Sequence, residues 1–170
     1  MNMNKEEEKW LNYAFYLLSF KMRTEHELIE KFNSRQVDED IQQLVLSFLK
    51  SQKYIDDQFY AESYIESHAS KYGPYRMKRT LKEKGISKVH IEKAFEALAS
   101  SIDPYKDARN ILQKKMDGMS IDFEKLKDDY VYKRKIQQKL SQFLAYRGFS
   151  LDVIKCVLSE LLAQEFFDEE

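Results

Sequence analysis

Catalytic and metal centres are built from histidine, cysteine and paired carboxylates, and here these residues are few and scattered. His26, His68 and His90 are the only histidines, and none sits in an HExxH or Cys/His pattern. Cys156 is the single cysteine, which excludes an internal disulfide and a Cys-rich zinc site. Its place between Ile154 and Val157 predicts a buried or half-buried thiol. His68 continues the stripe Ala61, Tyr64, Ile65 and is expected to be packed or partly buried. Asp56-Asp57 stand before an apolar stripe, where adjacent carboxylates cap a helix and face its positive terminus. Asp128-Asp129 precede a basic cluster and are expected to pair with it. No GxGxxG or GxxxxGK(S/T) string occurs to cradle a phosphate. Nothing assembles an acid, a base and a nucleophile. We expect no enzyme activity, no cofactor, no metal and no small-molecule substrate.

Charge offers more. The net charge of −1 conceals −5 over residues 1–70, +5 over 71–100 and −1 over 101–170. On one predicted helix Arg76, Lys78, Arg79, Lys82 and Lys84 lie close together, with Arg76, Arg79 and Lys82 spaced to form a solvent-facing row. Lys133, Arg134, Lys135, Lys139 and Arg147 form a second basic segment with no acid among them. Tyr72 and Tyr75 flank the first set, and Tyr130 and Tyr132 the second. Cations interleaved with aromatics suit a polyanion or an acidic partner surface. The same residues also read as solvated helix faces, with the tyrosines packed between neighbouring units.

These side chains must be held by helices. Only four glycines and two prolines in 170 residues argue against an all-β fold with many tight turns. A hydrophobic fraction of 43% excludes a disordered chain. No apolar run approaches the ~20 residues that span a membrane, and the acidic start with Glu6, Glu7 and Glu8 is no secretory signal. A cytoplasmic, all-α protein is expected.

Periodicity divides the chain. Trp10, Tyr13, Ala14, Leu17 and Leu18 form one amphipathic stripe. Ile41, Leu44, Val45, Phe48 and Leu49 repeat it, as do Ile91, Ala94, Phe95, Leu98 and Ala99, and Ile154, Val157, Leu158, Leu161 and Leu162. Before two of these copies stand Leu81-Lys82-Glu83-Lys84-Gly85-Ile86-Ser87 and Leu144-Ala145-Tyr146-Arg147-Gly148-Phe149-Ser150. Both read as a helix end, a left-handed glycine, an apolar residue folding back and a serine capping the next helix. The first copy has Phe32-Asn33-Ser34-Arg35-Gln36-Val37-Asp38, one residue shorter before its stripe and without the glycine, so a differently built turn is expected there. Thr24 to Glu27 is a capping box, and Gly73-Pro74 and Asp103-Pro104 are helix starts. The reading is three tandem three-helix repeats at 10–54, 56–101 and 103–166, forming an elongated, curved solenoid-like rod. An insertion falls near 115–129, as an irregular loop or a longer middle helix. Residues 1–9 and 167–170 are expected to be flexible ends.

Three strings resemble the RecX family of RecA regulators. They are Tyr54-Ile55-Asp56-Asp57-Gln58-Phe59-Tyr60-Ala61, then Tyr72-Gly73-Pro74-Tyr75-Arg76-Met77 through Gly85-Ile86, and Arg147-Gly148-Phe149-Ser150 through Ile154. Lys53 departs from the pattern, standing where that family commonly has glycine. The resemblance implies a non-enzymatic protein that binds the RecA–DNA filament along its groove and modulates, usually inhibits, ATP hydrolysis and strand exchange. It makes the ten cations Arg76, Lys78, Arg79, Lys82, Lys84, Lys133, Arg134, Lys135, Lys139 and Arg147 candidates for contact with the filament, with direct contact to DNA included. Read from the residues alone, two other classes stand beside it. One is a DNA-binding protein of helix-turn-helix-like units, against which the near-zero net charge speaks. The other is a general helical-repeat scaffold.

Overall fold

The computed structural model describes residues 4–164, which carry ten helices and no strand. The first three-helix set is α1 (Lys5–Phe20), α2 (Glu25–Asn33) and α3 (Glu39–Ser51). The second is α4 (Asp57–His68), α5 (Pro74–Glu83) and α6 (Lys88–Ala97). The third is α7 (Pro104–Asp117), α9 (Tyr130–Tyr146) and α10 (Leu151–Gln164), with the short α8 (Phe123–Asp128) inserted before its middle helix. Among the described residues no helix is long and apolar enough to cross a membrane.

The helix starts follow the caps written in the sequence. Thr24 Oγ1 accepts from the Glu27 amide at 3.1 Å while Glu27 accepts from the Thr24 amide, closing the capping box. Asp38, Asp103 and Asp129 each cap the helix that follows. Ser87 Oγ accepts from the His90 amide and Ser150 Oγ from the Val153 amide.

The chain divides into two compact units whose boundary falls inside the second repeat. The first unit holds the chain up to Tyr64 together with Thr80–Ala97. Its core gathers Ala14, Leu28, Phe32, Val45 and Leu49, all fully buried, with Trp10 edge-on to both Phe32 and Tyr13 and Tyr13 tilted against Phe32. The second unit holds Ile65–Arg79 and the chain from Leu98. Its core joins Ala108 and Leu112 of α7, Leu140 and Leu144 of α9 and Val157 and Leu161 of α10.

Four expectations are corrected. Residues 5–9 do not form a flexible end, because Asn4 caps α1: its side chain accepts from the Glu6 and Glu7 amides, and Glu7 returns a bond to the Asn4 amide. The acids at 6–8 serve the positive helix terminus. Residues 167–170 lie outside the described residues. The 115–129 segment is neither an irregular loop nor a longer middle helix. α7 ends at Gly118, Asp122 caps α8, Leu126 of α8 is buried, and α9 starts at Tyr130. Cys156 is exposed, because the buried stripe of α10 runs through Val153, Ile154, Val157, Leu158 and Leu161 on another face.

The fourth correction concerns the first repeat's turn, which is built like the other two. Gln36 takes φ 55°, against 79° at Gly85 and 87° at Gly148. The bonds correspond one for one: Gln36 N to Asn33 O and Val37 N to Phe32 O, Gly85 N to Lys82 O and Ile86 N to Leu81 O, Gly148 N to Ala145 O and Phe149 N to Leu144 O. This is the Schellman pattern, and it tolerates a non-glycine at some energetic cost. Lys53, at φ 57°, ends α3 in the same way.

Candidate functional site

In each unit, the turn that ends one repeat's middle helix seats on the start of the preceding repeat's middle helix. In the first unit the Lys84 carbonyl accepts from Thr24 Oγ1 at 2.7 Å, and a Cβ on Gly85 would come closer than 3.0 Å to the His26 Cβ. In the second unit the Gly73 amide donates to the Arg147 carbonyl at 2.8 Å and the Tyr75 amide to the Gly148 carbonyl at 3.0 Å. There a Cβ on either Gly73 or Gly148 would collide with backbone. Gly85 and Gly148 therefore do two things at once: they adopt the left-handed turn and, like Gly73, they let two segments meet without a side chain between them.

The charge at the two joints differs. Lys84 and Arg147 occupy matching places just before the glycine, and Glu27 and Arg76 occupy matching places in the first turn of the helix beneath. The first joint is thus a salt bridge, Lys84 Nζ to Glu27 Oε1 at 2.7 Å, with Glu27 17% and Lys84 25% exposed. Burial pushes the Glu27 carboxyl up, but the hydrogen bond and charge of Lys84 and the Thr24 amide together hold it below its ordinary value. Lys84 is raised: its burial works downward and is outweighed by Glu27 and the Tyr60 hydroxyl.

The second joint has two arginines instead. The Arg76 guanidinium lies 4.1 Å from the Tyr72 ring centroid and 5.2 Å from that of Tyr146, and Nη1 reaches the Tyr146 carbonyl. Arg147 Nη1 donates to the Lys71 carbonyl at 2.8 Å, and its guanidinium lies over Phe143 at 4.6 Å. Lys115 stands 5.4 Å from the same ring. Neither arginine is within salt-bridge distance of a carboxylate among the described residues. Arg147, Lys114, Lys115 and Ser70 line a concavity of about 360 Å³ with Phe143 and Ile111 and no acid. Cations gathered without a counter-charge are poised for an external anion.

Three RecX domain profiles match the chain in order: the first three-helix domain on residues 11–49, the second on 56–94 and the third on 101–158. A Clostridioides difficile protein named Regulatory protein RecX is 33% identical over 159 residues, covering 92% of this chain and 70% of its own length. The chain belongs to the RecX family. A Regulatory protein RecX of Streptococcus pneumoniae (strain Hungary19A-6) is 36% identical over 161 residues, covering 94% of this chain and 57% of that protein. The crystal structure of RecX from Lactobacillus salivarius superposes with a TM-score of 0.76 at 27% identity, covering 94% of this chain and 98% of that one.

On this RecX frame the ten predicted cations separate by environment. Lys78, Arg79, Lys82, Arg134, Lys135 and Lys139 are exposed, whereas Arg76, Lys84, Lys133 and Arg147 are half-buried. Arg76 therefore leaves the predicted solvent-facing row: it is packed between two tyrosines, while Arg79 and Lys82 remain outward. Lys84 is committed to Glu27. The tyrosines also divide. Tyr72 is half-buried and stacks on His68 at 6.0 Å, and the Tyr132 hydroxyl accepts from the Asp122 amide, whereas Tyr75 and Tyr130 are 66% and 74% exposed. Sequence reasoning missed Lys114 and Lys115, which join Arg147 only when α7 and α9 pack. Their signal was a Lys-Lys pair at the end of an amphipathic helix, which is common on surfaces.

The carboxylates at 56 and 57 take different roles. Asp56 caps α4 by accepting from the Phe59 amide. Asp57 accepts from the Glu25 amide at 3.0 Å; burial raises its carboxyl against that hydrogen bond, with the Glu25 and Asp56 charges adding to the rise and His90 opposing it. No group of three or more metal-ligating side chains is present among the described residues.

Proposed function

We propose that this chain regulates the RecA recombinase in the cytoplasm by binding the RecA–DNA filament and lowering its ATPase and strand-exchange activity. The observation that carries the reading is the in-order match of all three RecX domains over most of the chain. The second joint supports it. The place that holds a glutamate in the first joint holds Arg76 in the second, leaving Arg76, Arg147, Lys114 and Lys115 without a carboxylate partner where an acidic protein face or a phosphate can supply one. Binding through such groups is steered by charge and weakened by salt. The test is a titration of the purified protein into DNA-dependent RecA ATP hydrolysis. Inhibition at or below stoichiometric ratio is expected, and an ATPase and strand exchange untouched at saturation would overturn the reading.

One observation favours direct DNA contact as a second reading. The concavity around Phe143 presents two lysines, an arginine and the Ser70 side chain to one small volume with no acid in its lining. Phosphate suits this donor set. Anisotropy of a labelled oligonucleotide without RecA tests it: salt-sensitive binding lost in Lys114→Glu/Lys115→Glu supports DNA contact, and binding unaffected by that pair places the DNA elsewhere.

A further inference from the structure

Arg109 and Lys127 of the second unit each face a carboxylate, Glu160 at 2.8 Å and Glu124 at 3.2 Å. The concavity lined by Ser70, Ile111, Lys114, Lys115, Phe143 and Arg147 lies wholly within the same unit and is built differently. Its cations are held by groups that carry no charge. Lys115 Nζ and the Arg147 guanidinium both lie over the Phe143 ring, at 5.4 and 4.6 Å. Arg147 Nη1 also donates to the Lys71 carbonyl. A ring face and a carbonyl attract a cation without cancelling its charge. The guanidinium has five N–H donors, and the Lys71 carbonyl takes one of them. None of Lys114, Lys115 and Arg147 is within salt-bridge distance of a carboxylate among the described residues.

Three positive charges and a hydroxyl therefore converge on a volume of about 360 Å³. That count bears on the charge of the ligand. A phosphodiester inside a strand brings one negative charge and is flanked by sugar on both sides. A terminal phosphate brings about −1.5 to −2 at neutral pH with three acceptor oxygens, and a polyphosphate brings more. A terminal group can also enter a concavity end-on, with its oxygens shared among several donors.

We propose that this concavity is a site for a multiply charged terminal phosphate, from the phosphate chain of a free nucleotide or the 5′-phosphate of a DNA strand. Arg147, Lys114, Lys115 and Ser70 are its donors, and Phe143 positions two of the cations. The inference rests on the reading of the concavity as a phosphate site and narrows it; it does not depend on RecA.

Calorimetric titration of the full chain with pyrophosphate, in magnesium-free buffer at about 50 mM salt, tests this. Wild type should bind pyrophosphate at least about tenfold more tightly than Lys114→Gln/Lys115→Gln. Arg79→Gln/Lys82→Gln removes the same charge from exposed positions and should bind as wild type does. Phe143→Leu with unchanged helical circular dichroism should weaken binding although all three cations remain. Two further probes, ATP and one oligonucleotide in 5′-phosphorylated and 5′-hydroxyl forms, separate the sources. A free nucleotide is the source if ATP binds as pyrophosphate does and the two oligonucleotide forms bind alike. A strand end is the source if the phosphorylated form binds at least about tenfold more tightly. Pyrophosphate that does not bind at about 10 mM overturns the proposal. So does binding weakened as much by Arg79→Gln/Lys82→Gln as by Lys114→Gln/Lys115→Gln. Oligonucleotide binding lost in Lys114→Glu/Lys115→Glu, while pyrophosphate neither binds nor competes, overturns it and leaves the DNA reading standing.

Discussion

The Tyr75 amide donates to the Gly148 carbonyl at 3.0 Å, so the first turn of α5 is completed by the turn that ends α9. Helix starts leave amides unpaired, and Pro74 removes one of them. The Gly73 and Tyr75 amides find partners on Arg147 and Gly148 rather than in a local cap. The second repeat's middle helix thus depends on the third repeat for its N-terminus, whereas α2 brings its own capping box.

Gly148→Ala should cost about 3 kcal/mol or more, the sum of a left-handed non-glycine and the disrupted joint hydrogen bonds. The added Cβ meets the Arg76 backbone, which no side-chain rotation relieves. Denaturant unfolding measures the loss. Amide exchange at Tyr75 should rise with it, and a protected Tyr75 amide in the variant would show that the joint survives.

The Lys84–Glu27 pair fixes a pH window for the first unit. Glu27 is depressed below its ordinary value of 4.5, so its contribution is present above that value and is lost as pH falls through the lower folded-state value. Lys84 is raised above 10.5, so its contribution is present below that value and is lost as pH rises through the higher one. Lys84→Met should cost about 1–2 kcal/mol near neutral pH. A double-mutant cycle with Glu27→Gln, run by denaturation at pH 3 and pH 7, should show coupling at the higher pH that shrinks at the lower.

Lys53→Gly should stabilise the protein by about 0.5–1 kcal/mol, because Lys53 sits at φ 57° and glycine removes the left-handed strain at a smaller cost in chain entropy. Thermal unfolding reads the gain, and a lowered midpoint would mean that the Lys53 side chain makes a compensating contact.

Much of this was legible in the sequence. The Leu-x-x-basic-Gly-apolar-Ser strings gave two of the turns and both seated glycines, and the caps at Thr24, Asp38 and Asp103 start the helices expected of them. The first repeat's turn is not legible, because the absence of glycine predicts a different conformation whereas Gln36 keeps the left-handed one. In fact glycine is indispensable only where another backbone approaches, as at Gly148, and that approach is a tertiary fact. Cys156 was misplaced because its apolar neighbours share its stretch of sequence but face another way. The packing of Arg76 was hidden for a similar reason. Its partner Tyr146 lies 70 residues away, and i, i+3 spacing speaks only of one helix.

That relocation of Arg76 decides which charge reversals test the RecA reading. Arg76→Glu would disturb the α5 start, so loss of regulation in it reports folding as much as binding. Arg79→Glu/Lys82→Glu changes two exposed side chains on the same helix, and Lys114→Glu/Lys115→Glu alters the concavity beside Arg147 while leaving Arg147 bonded to the Lys71 carbonyl. Arg79, Lys82 and Lys114 are exposed and Lys115 is half-buried beside Phe143, so the first pair should leave the unfolding midpoint nearly unchanged, within about 0.5 kcal/mol, and the second should lower it only slightly. Each should also raise the concentration needed to inhibit the RecA ATPase by about tenfold, equivalent to ~1.4 kcal/mol of lost binding. The wild-type inhibition should weaken as salt rises from about 50 to 200 mM, and the variants should show a shallower salt dependence because fewer cations engage. Inhibition by both variants at wild-type concentrations would move the filament-binding face off these residues.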